Sequence, residues 1–176
     1  MMPKLIHLYW GRNRPLSFMQ YMTAASLSHH NPEWLIKVWS PSEPSHDMQW
    51  ESGEHKQEDG VFIEDKFDWL QQLPNVEVHV INDPIWKGRP GLSEVHRSDL
   101  LRWKLLKNEG GVWSDFDILY NSPMEKLIPE SGWDVGLCPC TNNNGLTTYY
   151  SIGLMASAKT KYAGDFYTFL RDIAVK

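Results

Sequence analysis

Short apolar segments with the character of β-strands alternate with helical segments along the 176-residue chain, and this alternation constrains the fold more than any other feature. Lys4–Tyr9 and Trp34–Trp39 are predicted strands. Between them, Leu16–His29 carries apolar residues at close to helical spacing, and Asn31-Pro32 ends this helix. Strands that alternate with helices favour an α/β fold around a largely parallel sheet.

The rest of the chain continues the alternation. Ser93 is a predicted N-cap, with Glu94 in the first turn of the helix that follows. Residues 41–60 are polar and contain several turn formers, which predicts a surface loop within one domain over residues 1–176. The further predicted strands are Val76–Ile81, Val112–Ser114 with a continuation through Ile118–Tyr120, Val135–Cys138 and Ile152–Ala156, and the further predicted helices are Phe67–Leu73, Glu94–Asn108 and Lys161–Ile173.

Charge and composition argue against several classes of protein. The net charge is -5 and the 17 Lys and Arg residues are scattered, so we expect no nucleic-acid partner. No apolar run approaches the roughly 18 residues of a membrane span, and the N-terminus lacks the pattern of a secretory signal. We therefore expect a cytoplasmic protein with no membrane span in this chain. Cys138 and Cys140 are too close for a good disulfide, so we expect reduced thiols.

Asp115 and Asp117 form a DFD motif directly after a predicted strand. On an extended backbone, alternate side chains point the same way, so the two carboxylates can address one cation. Carboxylate oxygens suit Mn²⁺ or Mg²⁺, and two protein ligands leave coordination positions for the phosphate oxygens of a substrate.

The spacing alone is weak, because chance gives about 0.7 such pairs in this composition. The ordinary structural alternative is that Asp115 caps a turn and that Asp117 is a solvated residue at the edge of a strand. An EF-hand is excluded because Tyr120 stands where the loop requires glycine. A phosphatase with Asp115 as nucleophile fits less well, because the motif lies far from the first strand.

Three separated stretches of the chain give the DFD motif a context, because they occur in the same order as the motifs of one family. Ser98-Asp99-Leu100-Leu101-Arg102, followed by Gly110-Gly111-Val112-Trp113-Ser114-Asp115-Phe116-Asp117, resembles the DXD sugar-binding region of glycosyltransferases. That family includes capsular-polysaccharide transferases, yeast-type mannosyltransferases and clostridial-toxin glucosyltransferase domains. The opening residues 3–11 (PKLIHLYWG), and residues 31–34 leading to Trp39, are similar to its first two strands.

The resemblance implies a single GT-A domain, with a Rossmann-like, mostly parallel sheet flanked by helices; the length is compatible with a short viral-type form. It also implies a glycosyltransferase that moves a sugar from a nucleotide-sugar donor, UDP preferred and GDP as the alternative, to a glycan or other hydroxyl acceptor. Asp115 and Asp117 would hold Mn²⁺ or Mg²⁺. Asp99 would accept hydrogen bonds from the donor sugar, and Arg102 would meet the sugar or the phosphates. The alternative is a local ion pair between Asp99 and Arg102, three residues apart on one helix.

The same resemblance assigns Trp10 to stacking on the nucleobase, with Leu8 and Tyr9 lining that pocket. A core tryptophan is the alternative, but ligands of open α/β sheets bind beyond the carboxyl ends of the strands, where Trp10 stands. We interpret His7 as a structural residue of the first strand.

Several questions stay open at this stage. Asn142–Asn144 and Tyr149 fit either the acceptor side or an ordinary polar loop. The retaining and inverting mechanisms are both compatible with the sequence, and Asp134 is the candidate base for inversion. A non-catalytic nucleotide-sugar or carbohydrate-binding module and a Mg²⁺-dependent phosphohydrolase are the competing functions.

Overall fold

A computed structural model describes residues 2–45, 63–86, 91–128 and 131–174. Within these ranges the chain forms one six-stranded sheet with helices packed against it. The strands are β1 (Leu5–Tyr9), β2 (Leu35–Pro41), β3 (Val76–Ile81), β4 (Gly111–Ser114), β5 (Val135–Thr141) and β6 (Thr147–Ser157), and the helices are α1 (Phe18–His30), α2 (Glu94–Asn108) and α3 (Lys161–Ala174). Short 3₁₀ helices cover Phe67–Gln72, Pro84–Trp86 and Met124–Lys126.

The sheet has the strand order β3-β2-β1-β4-β6-β5. The first four strands in this order run parallel, whereas β6 is antiparallel to both β4 and β5. The largely parallel α/β fold expected from the sequence is therefore confirmed. Because β1 and β4 are parallel neighbours at the centre of the order, the residues after their carboxyl ends meet at one edge of the sheet.

Side-chain alternation along β1 divides the core into two layers. Ile6 and Leu8 lie on the face covered by α1, in a cluster with Leu27. Tyr9 lies on the opposite face, in the cluster that α2 and α3 cover. Burial on both faces explains why β1 reads as an almost continuous apolar run.

Most of the predicted elements are present: Val76–Ile81 and Glu94–Asn108 have the predicted bounds, and the other elements shift by one to three residues at an end. The exception is β6, which begins at Thr147, five residues before the predicted start at Ile152. The loop predicted over residues 41–60 starts at Ser42 instead, because Pro41 is the last residue of β2. Residues 46–60 of that loop lie outside the described ranges. No helix in the described ranges has the length and apolar character needed to cross a membrane.

The predicted continuation of the fourth strand through Ile118–Tyr120 is wrong. β4 ends at Ser114, and Phe116 and Asp117 form a turn. Side chains of α1 take the backbone groups that a strand ladder would use: Thr23 Oγ1 donates to the Phe116 carbonyl at 2.9 Å. The Tyr120 N–H donates to Ser26 Oγ at 3.1 Å. Local apolar character could not reveal these contacts, because the two partners are more than ninety positions apart.

Candidate functional site

A cleft of about 240 Å³ opens at the edge of the sheet where β1 and β4 end. Four parts of the chain form its wall: the segment after β1, the start of α1, one side of α2 and the turn after β4. The residues lining it are Tyr9, Trp10, Gly11, Asn13, Arg14, Gln20, Glu94, Val95, Ser98, Arg102, Asp115, Phe116 and Asp117. The sheet topology therefore brings the aromatic end of β1 and the DFD motif to one site.

Asp115 and Asp117 both line this cleft. The expectation that they share an extended backbone is wrong, because the turn at Phe116 and Asp117 directs them into the cleft instead. Asp115 is firmly held: its N–H donates to the Gly153 carbonyl at 2.8 Å. Its Oδ1 accepts a hydrogen bond from Trp113 Nε1 at 2.8 Å. Asp117 is exposed at the turn.

Arg102 connects α2 to the DFD turn. Its guanidinium lies 2.9 Å from Asp99 Oδ1 and 3.5 Å from Asp115 Oδ1. It also donates to Ser98 Oγ at 2.9 Å and to the carbonyl of Ile152. The side chain is only 4% exposed. The predicted pair of Asp99 and Arg102 is thus present, but it is not merely local, because Arg102 bridges it to the candidate metal site. Asp99 itself does not line the cleft.

Two carboxylates at this site are shifted toward the protonated form. Burial raises the pKa of Asp115, and the nearby Arg102 charge and the Trp113 N–H partly offset this. The charges of Asp117 and Asp99 raise the pKa of Asp115 further. Burial likewise raises the pKa of Asp99, against the opposing charge of Arg102. A carboxylate whose pKa is raised by neighbouring carboxylates marks a site where a cation relieves repulsion.

The residues present fit a divalent metal that arrives together with a diphosphate. Asp115 and Asp117 offer two hard oxygen ligands in the cleft. Within the described ranges there is no group of three or more His, Cys, Asp or Glu side chains that could hold an ion. Mg²⁺-type ions are commonly held by one or two carboxylates plus substrate phosphates, so two protein ligands are sufficient for such a site.

At the end of β1 the three predicted pocket residues have different positions. Trp10 lines the cleft, with its ring edge-on to Phe116 at 5.8 Å and its Nε1 donating to the Arg14 carbonyl at 3.2 Å. Tyr9 also lines the cleft, and its hydroxyl donates to Glu94. Leu8 is fully buried in the core below. The side chain of Leu8 therefore does not reach the cleft, because alternation along β1 turns it toward α1.

Glu94 is one of the cleft residues that the sequence interpretation does not assign to the site. The sequence indicates only that Glu94 lies in the first turn of a helix, where acidic residues are common. Its carboxylate accepts hydrogen bonds from Tyr9, from the Ser45 N–H, and from Arg97 at 3.1 Å. Burial raises the pKa of Glu94, and these donors oppose the rise. A Cβ at Gly11 would collide with the Glu94 side chain, a contact that the sequence alone does not reveal.

The remaining candidates lie away from the cleft lining. Asp134 accepts a hydrogen bond from Thr160 and precedes β5. It therefore stands at the sheet edge opposite the DFD turn, which removes its support as a base for inversion. Asn142 closes the β5–β6 turn, where its Oδ1 accepts from the Asn144 N–H at 3.0 Å. Tyr149 is exposed on β6. Because β5 runs parallel to β4, this hairpin turn points to the same side of the sheet as the cleft.

His7 is structural, as interpreted from the sequence. It is fully buried, and its Nε2 donates to the Gly110 carbonyl at 3.0 Å while its Nδ1 accepts from Trp39 Nε1 at 3.2 Å. These two contacts define the neutral imidazole with its proton on Nε2.

Comparison with known families decides the classification. Residues 17–133 match the model of the glycosyltransferase sugar-binding region containing the DXD motif. The chain belongs to this family. A search of curated proteins finds no match.

Solved structures of glycosyltransferases share the fold of this family member. The PaToxG glycosyltransferase aligns with a TM-score of 0.65 at 17% identity, covering 99% of this chain and 59% of that one. The glycosyltransferase GlyE from Streptococcus pneumoniae TIGR4 gives a TM-score of 0.54 at 12% identity, covering 97% of this chain and 38% of its own. The bifunctional glycosyltransferase WbbM gives 0.54 at 12% identity, with 99% and 34% covered. The chain thus spans about 59% or less of these three structures.

Proposed function

We propose that this chain transfers a sugar from a nucleotide-diphosphate sugar to a hydroxyl acceptor, with the help of a divalent ion. Mn²⁺ or Mg²⁺ would be held by Asp115 and Asp117, UDP is the preferred nucleotide, GDP is the alternative, and a glycan is the preferred acceptor. The observation that carries the proposal is the DFD turn in the wall of the cleft, with the Asp115 carboxylate oriented by the Trp113 N–H and accompanied by Arg102.

Each residue then has a distinct task. When bound, a divalent ion would offset the negative charge that grows on the departing diphosphate. Asp115 and Asp117 hold that ion, and Arg102, already fixed by Asp99, offers positive charge to the phosphates or the sugar. Trp10 presents its ring to the nucleobase at the end of β1. Asp99 acts on the donor sugar directly or by fixing Arg102.

Calorimetric titration with UDP, in Mn²⁺ and in EDTA, tests the metal site. We expect wild-type affinity to fall when the metal is removed, and Asp117→Asn to bind UDP equally in both conditions. Asp165→Asn is the matched control, because Asp165 is exposed on α3, away from the cleft. Equal wild-type affinity with and without Mn²⁺ contradicts the proposal.

Turnover separates an enzyme from a binding module. We expect slow, Mn²⁺-dependent release of free sugar from at least one member of a panel of UDP- and GDP-sugars. Binding without release supports a non-catalytic module, and release of phosphate from monoesters supports a phosphohydrolase.

A further inference from the structure

Two consecutive residues of β6 contact both charged groups at the DFD turn. The Ile152 carbonyl accepts a hydrogen bond from Arg102, and the Gly153 carbonyl accepts the Asp115 N–H at 2.8 Å. The register of β6 against β5 is irregular here, since Leu137 pairs with Met155 whereas Cys138 pairs with Ser151. Ile152, Gly153 and Leu154 therefore stand outside the regular pairing with β5, and the carbonyls of the first two accept hydrogen bonds from Arg102 and Asp115.

Gly153 also sets the space around the Asp115 carboxylate. A Cβ at position 153 would lie 2.9 Å from Asp115 Oδ2, closer than real Cβ contacts come. The φ angle of Gly153 is outside the left-handed region, so an alanine can adopt this backbone conformation. Space for the carboxylate, rather than backbone freedom, is thus what the glycine supplies.

The two oxygens of Asp115 are consequently in different surroundings. Oδ1 accepts the Trp113 N–H at 2.8 Å and lies 3.5 Å from Arg102. Oδ2 faces Gly153, where a Cβ would lie only 2.9 Å from it. Because the Trp113 hydrogen bond fixes the rotation of the carboxylate, a methyl group at position 153 must displace Oδ2 or turn the whole group away from Trp113.

We propose that Gly153 is a positioning residue, which holds the Asp115 carboxylate in its ligand-binding orientation by leaving the space beside Oδ2 empty. This inference rests on the proposed metal-assisted function for its consequence in binding. The contact between Gly153 and Asp115 itself does not depend on that function, so the two are tested separately.

A thermal double-mutant cycle tests the contact without metal or nucleotide. Gly153→Ala is compared with wild type, Asp115→Ala and the double variant. We expect Gly153→Ala to lower Tm by about 2–4 °C in the wild-type background. In the Asp115→Ala background we expect no loss, because the displaced oxygen is absent. Gly164→Ala on α3 is the matched control, since a Cβ there meets nothing within 4 Å.

Calorimetry tests the consequence for binding. We expect Gly153→Ala to weaken UDP binding about tenfold in Mn²⁺, the scale of losing a group that orients a metal ligand. Affinity in EDTA should equal that of wild type, whereas a merely structural defect would lower both.

The inference would be overturned if Gly153→Ala lowered Tm equally in the wild-type and Asp115→Ala backgrounds. It would also be overturned if a folded Gly153→Ala protein bound UDP in Mn²⁺ as tightly as wild type. If Gly153→Ala fails to fold, Trp113→Phe replaces it, because Phe removes the N–H that orients Oδ1 while keeping an aromatic ring. The same Mn²⁺-specific tenfold weakening is then expected, and its absence would refute the positioning account. A wild type that binds no UDP refutes the proposed function instead, and the thermal cycle still decides the contact.

Discussion

Acidification should weaken this fold through His7, which links the strands beneath the candidate site. The imidazole donates to Gly110, directly before β4, and accepts from Trp39 on β2. Protonation would put a second N–H on Nδ1, opposite the Trp39 N–H, so the charged form loses one hydrogen bond and places a positive charge in the core. Burial accordingly lowers the pKa of His7 from 6.5 to about 4.

The magnitude follows from linkage between protonation and folding. The unfolded chain takes up a proton on His7 near pH 6.5 and the folded chain only near pH 4. Stability from the neutral imidazole is therefore fully present above pH 6.5 and is lost as the pH falls toward 4. At about 1.4 kcal/mol for each pKa unit, this loss is about 3 kcal/mol, of which about 2 kcal/mol disappears by pH 5.

Urea unfolding followed by tryptophan fluorescence at pH 7 and pH 5 measures this loss. In His7→Gln an amide replaces the titrating ring, so the difference in unfolding free energy between wild type and variant should shrink by about 2 kcal/mol between these pH values. His29→Gln is the control, because His29 is exposed near the end of α1. Its unfolding free energy should change between pH 7 and pH 5 by the same amount as that of wild type. If the unfolding free energies of wild type and His7→Gln differ by the same amount at pH 7 and pH 5, His7 does not cause the loss of stability.

Three further predictions concern the cleft. Trp10→Ala should weaken UDP binding by about 1–3 kcal/mol through lost base stacking, in a protein that still folds but with Tm lowered by the lost packing on Phe116; normal UDP affinity would make Trp10 a packing residue. Asp99→Asn should keep UDP affinity within a few fold but cut turnover about 10²-fold, and normal turnover would reduce its pair with Arg102 to a structural one. Glu94 has a pKa raised above 4.5, so wild-type stability should fall relative to Glu94→Gln as the pH rises from 4.5 through the folded pKa; a pH-independent difference in urea unfolding would contradict this.

Elements with strong local signals could be predicted from the sequence. α2 has a serine N-cap whose Oγ accepts the His96 N–H, and it ends before a pair of glycines that both have positive φ. β1 is apolar because both of its faces are buried. In such segments local preference and tertiary packing favour the same structure, so local signals in the sequence locate them.

The parts that could not be predicted depend on contacts between distant positions. The DFD motif was identified, but its turn forms because α1 supplies Thr23 and Ser26 to the backbone that follows β4. Glu94 reads as a helix-start residue until β1 brings Tyr9 against it. Gly153 reads as an ordinary strand glycine until β6 pairs with β4. The spacing of residues along the chain does not indicate which distant residues will be their partners.

The position of Arg102 limits how its own role can be tested. The Arg102 charge is the largest influence that lowers the raised pKa values of both Asp99 and Asp115. Removing the guanidinium would leave two partly buried carboxylates without their main counter-charge, so Arg102→Ala would alter stability and ligand binding together. Asp99→Asn removes one charge and leaves Arg102 beside Asp115, and Gly153→Ala alters one carboxylate without changing any charge. Comparison of these two variants therefore separates the proposed role of Asp99 toward the sugar from the proposed role of Asp115 toward the metal, which substitution of Arg102 cannot do.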